Sequence, residues 1–186
     1  GIPQAAIVFV YGGNMGKPQD ISFIVQCLRL VSNQKDKFFV FCGDGSEYNI
    51  LNKYIESEKP SNVLLIKGLP KQEYDELLLG CDVGLVFLDH RFTIPNFPSR
   101  MLSYMEYAMP ILACTDTHTD VGQIITNGGF GWWCEGNDPE SFEAMIKKIA
   151  TKESIVDKGM TGRIYMEDHY SVSEQYNIIY KTVTMQ

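Results

Sequence analysis

Ala5-Ala6-Ile7-Val8-Phe9-Val10-Tyr11 runs directly into Gly12-Gly13-Asn14-Met15-Gly16-Lys17, and the next turn signal gives way to a helical stripe. The first seven residues are continuously apolar, which suits a strand buried on both faces. The glycines form a loop. Asp20 can cap a helix whose apolar positions Ile21, Ile24, Val25, Leu28 and Val31 fall on one side. One strand, one glycine loop and one amphipathic helix make the opening unit of a parallel sheet.

The rest of the chain repeats that grammar. Further strands read at Phe38–Cys42, Asn62–Lys67, Asp82–Leu88, Pro110–Cys114 and Gly131–Cys134. Helical periodicity falls between them, near Glu47–Ser57, Lys71–Leu79, Pro98–Ala108 and Val121–Thr126. Asp138-Pro139 is a strong helix start, and the residues from Lys152 onward read as helix with a break near Tyr170-Ser171. Strands alternating with helices predict an α/β fold: a Rossmann-like parallel sheet of about six strands with helices on both faces. Residues 1–186 read as a single domain. Ligands of such sheets sit outside the carboxyl ends of the strands, so every strand-to-helix loop opens on one rim.

Composition narrows the function. Sixteen basic residues against 23 acidic ones give a net charge of −7. A general nucleic-acid binder carries a basic excess, so nucleic acid is not an expected partner. The apolar runs are too short for a membrane span, which needs about 20 residues. Cys27, Cys42, Cys81, Cys114 and Cys134 form no C-x-x-C pair and lie in apolar surroundings, the pattern of reduced core thiols in a cytoplasmic protein. His90, His118 and His169 show no metal spacing, so no metal cofactor is expected.

Two loops carry candidate chemistry. In Gly12–Lys17 glycine allows close backbone approach to an anion, and Lys17 supplies a charge, though the run matches neither a Walker loop nor G-x-G-x-x-G. In Pro95-Asn96-Phe97-Pro98-Ser99-Arg100 a hydroxyl and a guanidinium meet at a helix start, where a phosphate can be held. A plain N-cap serine explains Ser99 equally well. Gly43-Asp44-Gly45 reads as an ordinary turn, Asp89-His90-Arg91 as a solvated loop, and Trp132-Trp133 as core packing.

In their order these pieces resemble the C-terminal, donor-binding half of a two-domain (GT-B type) glycosyltransferase, closest to the family 4 enzymes of bacterial capsular and O-antigen polysaccharide synthesis. The resemblance rests on Tyr11–Lys17, on Phe41-Cys-Gly-Asp-Gly45, on Asn62–Pro70 leading through Tyr74-Asp-Glu-Leu-Leu to Cys81–Val86, and above all on Pro98-Ser-Arg-Met-Leu-Ser-Tyr-Met-Glu-Tyr-Ala-Met-Pro-Ile-Leu-Ala113. It implies a binding site for a sugar nucleotide, most often a uridine diphosphate sugar. By position Gly13, Asn14 and Lys17 face the diphosphate or the transferred sugar. Pro98, Ser99 and Arg100 hold the diphosphate, and Gly68 and Leu69 edge the base. The family's two spaced glutamates fall here on Pro95 and Ser103, and the second of these positions faces the ribose.

The resemblance further implies a hexosyl transfer with retention to a polysaccharide precursor. It also implies an N-terminal acceptor domain not contained in this chain, and through it a lipid-linked acceptor. Cytoplasmic location is expected, with room for peripheral placement at the inner face of the membrane. This domain alone is expected to transfer no sugar, and no catalytic residue is singled out. A non-catalytic or degenerate module, or half of a sugar-nucleotide epimerase, stands as the alternative.

Overall fold

A computed structural model describes residues 2–91, 94, 96–149 and 152–184, the side chains of 177 and 178 excepted. The departure at Pro95 therefore lies outside the described residues. Six strands form one sheet: β1 (Ile7–Gly12), β2 (Lys37–Gly43), β3 (Val63–Lys67), β4 (Val83–Phe87), β5 (Ile111–Thr115) and β6 (Gly131–Glu135). All neighbours pair in parallel, in the order β3-β2-β1-β4-β5-β6. The helices are α1 (Ile21–Val31), α2 (Tyr48–Glu58), α3 (Lys71–Leu79), α4 (Arg100–Glu106), α5 (Val121–Asn127), α6 (Pro139–Lys148), α7 (Lys152–Tyr170) and α8 (Val172–Thr184).

The apolar run of β1 has a two-residue period hidden inside it. Ile7, Phe9 and Tyr11 belong to one core, while Ala6, Val8 and Val10 belong to the other. Each face needs a helical cover, and the chain supplies it by direction. From β1 to β3 the sheet grows one way; from β4 to β6 it grows the other. Right-handed crossovers then place the helices between β1 and β3 on one face and those between β4 and β6 on the other. Accordingly Ile24, Leu28 and Leu51 of α1 and α2 join Phe9 and Phe39 in one core. Met101, Tyr104, Val121 and Ile125 of α4 and α5 join Val10, Val86 and Ala113 in the other. Helix α6 returns to the first face through Phe142 and Ile146. The Phe9 and Phe39 rings stack 5.1 Å apart; emptying such a site by Phe→Ala costs about 3–5 kcal/mol.

Expected caps are present. Asp20 accepts from the Phe23 N–H at the head of α1, and Asp138 accepts from the Ser141 N–H at the head of α6. Two local details differ from the sequence reading. Lys17–Gln19 is a one-turn 3₁₀ helix rather than irregular loop, because Pro18 presets its dihedral and Gln19 accepts from the Gly16 N–H. Helix α4 begins at Arg100, not at Pro98, since Pro98 and Ser99 form the turn that leads into it. The two tryptophans split between the cores, Trp132 against one and Trp133 against the other, as alternation on β6 requires. All five cysteines are free, and only Cys81 is partly exposed.

Candidate functional site

Sheet growth reverses between β1 and β4, and the loops after these two strands diverge there to leave a crevice. A cavity of about 630 Å³ occupies it. Of the residues expected from sequence, Gly13, Asn14, Gly68, Leu69, Ser99, Arg100 and Ser103 line it together. Lys17 and Pro98 do not. Lys17 stands exposed on the 3₁₀ turn, and Pro98 lines a smaller neighbouring cavity of about 190 Å³. The lining also includes Gly12 of the expected glycine loop, and Cys42, Gly43, Lys71 and Tyr74, to which the sequence reading assigned no ligand contact. Lys71 and Arg100 contribute positive charge, and among the described residues no carboxylate lines the space. In a chain of net charge −7 that is a local inversion of sign.

The glycine loop is built differently from the expected amide cradle. The Gly12 N–H donates to the Tyr104 hydroxyl, Gly13 to the Cys42 carbonyl, Met15 to the Asp44 carbonyl and Gly16 to Gln19 Oε1. These donors face protein, not the cavity. The bracing comes from the Gly43-Asp44-Gly45 turn, which is more than an ordinary bend. A Cβ at Gly43 would lie 1.9 Å from the Gly13 carbonyl oxygen, and one at Gly45 would lie 2.5 Å from that of Met15. Gly13 itself has φ +112°, a conformation that disfavours any side chain.

Beneath the loop lies a pair of phenols, Tyr104 buried and Tyr74 half-buried. Tyr104 is fully buried; its hydroxyl takes the Gly12 N–H and lies within hydrogen-bond reach of the Val10 and Leu85 carbonyls. Burial raises its pKa well above the usual phenol range. The Tyr74 ring fills the space under Gly12, where a Cβ would lie 1.8 Å from its hydroxyl oxygen. Burial pushes Tyr74 up to about 12. Both phenols are therefore neutral hydrogen-bonding groups at ordinary pH.

Arg100 is the charged feature of the wall. Its guanidinium lies 4.3 Å from the centroid of the Tyr11 ring, and Nη2 approaches the loop at Gly13. Nη1 is buried and has no hydrogen-bond partner among the described residues. A half-buried cation with a buried, unspent donor at Nη1 calls for an anion, because leaving such a donor unpaired costs about 1–3 kcal/mol or more. The Tyr11 phenol is raised by burial, with the Arg100 charge opposing that shift.

Farther along the rim, Asp20, Asp89 and His90 bring ligand atoms within 4.8 Å of one another. Arg91 already fills the charge requirement there, forking onto both oxygens of Asp89 at 2.8 and 2.6 Å. The Asp89 carboxyl is accordingly held below the usual carboxylate range, chiefly by that Arg91 hydrogen bond. No described helix is long and apolar enough to cross a membrane.

Residues 1–160 match the profile of the family described as glycosyl transferases group 1. A probable glycosyltransferase, WbjE of Pseudomonas aeruginosa, is 30% identical over 164 residues, covering 88% of this chain. The chain spans 40% of the length of that relative. Among solved structures, Anabaena HepE in complex with UDP superposes with a TM-score of 0.76 at 13% identity, over 98% of this chain and 50% of that one. The C-terminal domain of the group 1 glycosyl transferase LpcC from Francisella tularensis gives 0.70 at 12% identity, over 89% of this chain and 87% of that one. A mutant of S. aureus TarM, solved with fondaparinux, α-GlcNAc-glycerol and UDP, gives 0.75 at 16% identity, over 99% and 36%.

Proposed function

The chain belongs to the glycosyl transferases group 1 family, and from that premise we propose that it is the donor-binding half of a two-domain glycosyltransferase and takes a uridine diphosphate sugar in the cavity between β1 and β4. One observation carries the reading: the acid-free cavity at the switch point, walled by a guanidinium whose Nη1 is buried and unpartnered. A diphosphate supplies the missing acceptor oxygens and the compensating charge. Solved relatives of this fold with UDP or UDP-glucose bound support the choice of nucleotide.

The residues divide the donor between them. Arg100 and the Ser99 hydroxyl meet the diphosphate. Gly68 and Leu69, with Lys71 beyond them, edge the base, and Gly68 leaves open space for close approach, since a Cβ there would meet nothing within 4 Å. Ser103 and Tyr74 offer hydroxyls toward the ribose. Stabilising the departing diphosphate with fixed donors is the chemistry that a glycosyl transfer asks of this half. The acceptor would be met by an N-terminal domain, and the whole protein would act on a polysaccharide precursor. Retention of configuration, a lipid-linked acceptor and a cytoplasmic site of action at the inner membrane face belong to this proposal.

Calorimetric titration of the chain with UDP, UDP-glucose and inorganic pyrophosphate tests the reading. Expected are micromolar to millimolar binding of UDP and weaker binding of pyrophosphate. Absence of binding by any nucleoside diphosphate at about 10 mM, a threshold of roughly 3 kcal/mol, overturns it.

A further inference from the structure

A second hollow, of about 410 Å³, lies between α1 and α2. It shares no residue with the cavity at the switch point. Val25 and Ile50 give it an apolar side, and Ile50 is 38% exposed. Arg29, Lys53 and Tyr54 give it a polar one, and among the described residues no carboxylate lines it.

Tyr54 is the unusual member of that wall. The residue is 4% exposed, and its hydroxyl is buried with no hydrogen-bond partner among the described residues. Burial raises its pKa, helped by the Glu58 charge and opposed by Arg29, so the group is an O–H donor at ordinary pH. A buried donor is costly to leave unpaired, and its place on a cavity wall calls for an acceptor. The charges around it are unevenly matched. Arg29 is spent on Glu58, which it meets through Nε at 2.9 Å and Nη2 at 2.6 Å. Lys53, next to Tyr54 on α2, is exposed and forms no ion pair among the described residues. An unspent phenol, an unmatched ammonium and an apolar flank thus meet in one hollow of a chain whose net charge is −7.

We propose that the hollow between α1 and α2 is a second binding site, which takes a phosphate ester with an apolar substituent: Tyr54 and Lys53 donate to the phosphate oxygens, and Val25 and Ile50 cover the substituent. A phosphate ester brings three strong acceptor oxygens to donors on different side chains, together with the charge that Lys53 lacks a partner for. The site stands independently of the nucleotide reading above, since the two cavities have no wall in common.

Calorimetric titration with phenyl phosphate, inorganic phosphate and phenol tests the site, on this chain and on Tyr54→Phe and Lys53→Gln. Phenyl phosphate is expected to bind more tightly than inorganic phosphate or phenol. Tyr54→Phe deletes one oxygen atom and is expected to weaken phenyl phosphate about tenfold, as loss of one hydrogen bond to a charged group implies. Lys53→Gln is expected to weaken it about fivefold, the scale of an exposed charge pair. UDP affinity is expected to be unchanged in both variants. Tyr54→Phe is also expected to unfold at a temperature no lower than the unaltered chain, because the hydroxyl has no protein bond to lose. Sedimentation with phosphatidylglycerol vesicles separates the sources of such an ester. Co-sedimentation lost in Tyr54→Phe marks a lipid headgroup; phenyl phosphate binding lost in Tyr54→Phe without any co-sedimentation marks a soluble ester. Equal phenyl phosphate affinity in all three proteins, or no binding at about 10 mM, overturns the proposal and leaves the nucleotide reading standing.

Discussion

The Arg100 guanidinium lies over the ring of Tyr11, 4.3 Å from its centroid, with Nη1 buried and unpartnered among the described residues. The phenol of Tyr11 is held in turn by the Asn14 carbonyl. The stack therefore couples the last residues of β1 to the first residue of α4, across the switch point. Lysine preserves the charge but neither the plane nor the fork. Arg100→Lys is expected to weaken UDP binding about 10-fold and Arg100→Ala about 100-fold, by calorimetry, with thermal unfolding near that of the unaltered chain. Equal affinity in all three would place the diphosphate elsewhere.

Gly43 and Gly68 end neighbouring strands and both line the cavity, yet they differ in what a methyl group would meet. At Gly43 it lands 1.9 Å from the backbone oxygen of Gly13; at Gly68 it meets nothing within 4 Å. Gly43→Ala must move the glycine loop itself. It is expected to lower the thermal midpoint by roughly 6–12 °C, for about 3 kcal/mol in a chain of this size. Gly68→Ala is expected to leave the midpoint within about 2 °C and to act, if at all, on nucleotide affinity. A scanning calorimetry trace with the two variants alike would contradict the packing described.

The sheet was legible because the strands carry apolar residues on both faces and β1, β2, β3 and β6 end on or run into glycine, so that even the alternation within Ile7–Tyr11 was not needed to find it. The site was legible at Gly13, Asn14, Ser99 and Arg100, where loop and helix start adjoin in sequence. It was less so where geometry arises only on folding. Lys17 is one turn from the cavity yet exposed, because the 3₁₀ turn carries it outward. Tyr74 looks like one more apolar position of an amphipathic helix, and its place beneath Gly12 follows from the crossing of β3–α3–β4. The direction of the loop's N–H groups could not be read either, since their acceptors, Cys42 and Asp44, come from the next strand and its turn.

Asp138 caps α6 with both oxygens, taking the Ser141 hydroxyl and the Ser141 N–H. Those bonds, the hydroxyl first, hold its carboxyl below the usual range. A carboxyl with a lower pKa folded than unfolded stabilises the fold above its unfolded value, near 4, and that contribution is lost as pH falls through the folded value. Asp138→Asn keeps an acceptor but does not titrate. Urea midpoints of the two proteins are expected to differ at pH 6 and to converge below about pH 4. A constant difference down to pH 2 would show that the cap does not titrate with folding.

Cys114 and Cys134 are register partners on β5 and β6, with sulfurs 3.3 Å apart and almost no exposure. Burial raises the Cys114 thiol far above its usual range and pushes Cys81 up to about 12. Thiolate is the reactive form, so native alkylation at pH 8 is expected to be slow throughout. Cys81, the one partly exposed thiol, is expected to label first, and all five are expected to label at once in urea. Mass spectrometry showing Cys114 or Cys134 labelled ahead of Cys81 would mean that the β5–β6 edge opens before the rest.

Helix α8 contributes little to either core. Val172 is 86% exposed, and Tyr176, Ile179 and Val183 are each more than 60% exposed. Its hold on the domain includes the Gln175 amide, which donates to the His169 carbonyl at the end of α7. Exposed residues contribute little to stability, so a chain ending at Ser171 is expected to lose no more than about 1 kcal/mol, or roughly 2–4 °C in thermal midpoint. Removing that apolar stripe should also reduce binding of a hydrophobic dye to the native chain. A fall of more than about 10 °C would mean that α8 packs on the two-sided core far more firmly than its exposure allows.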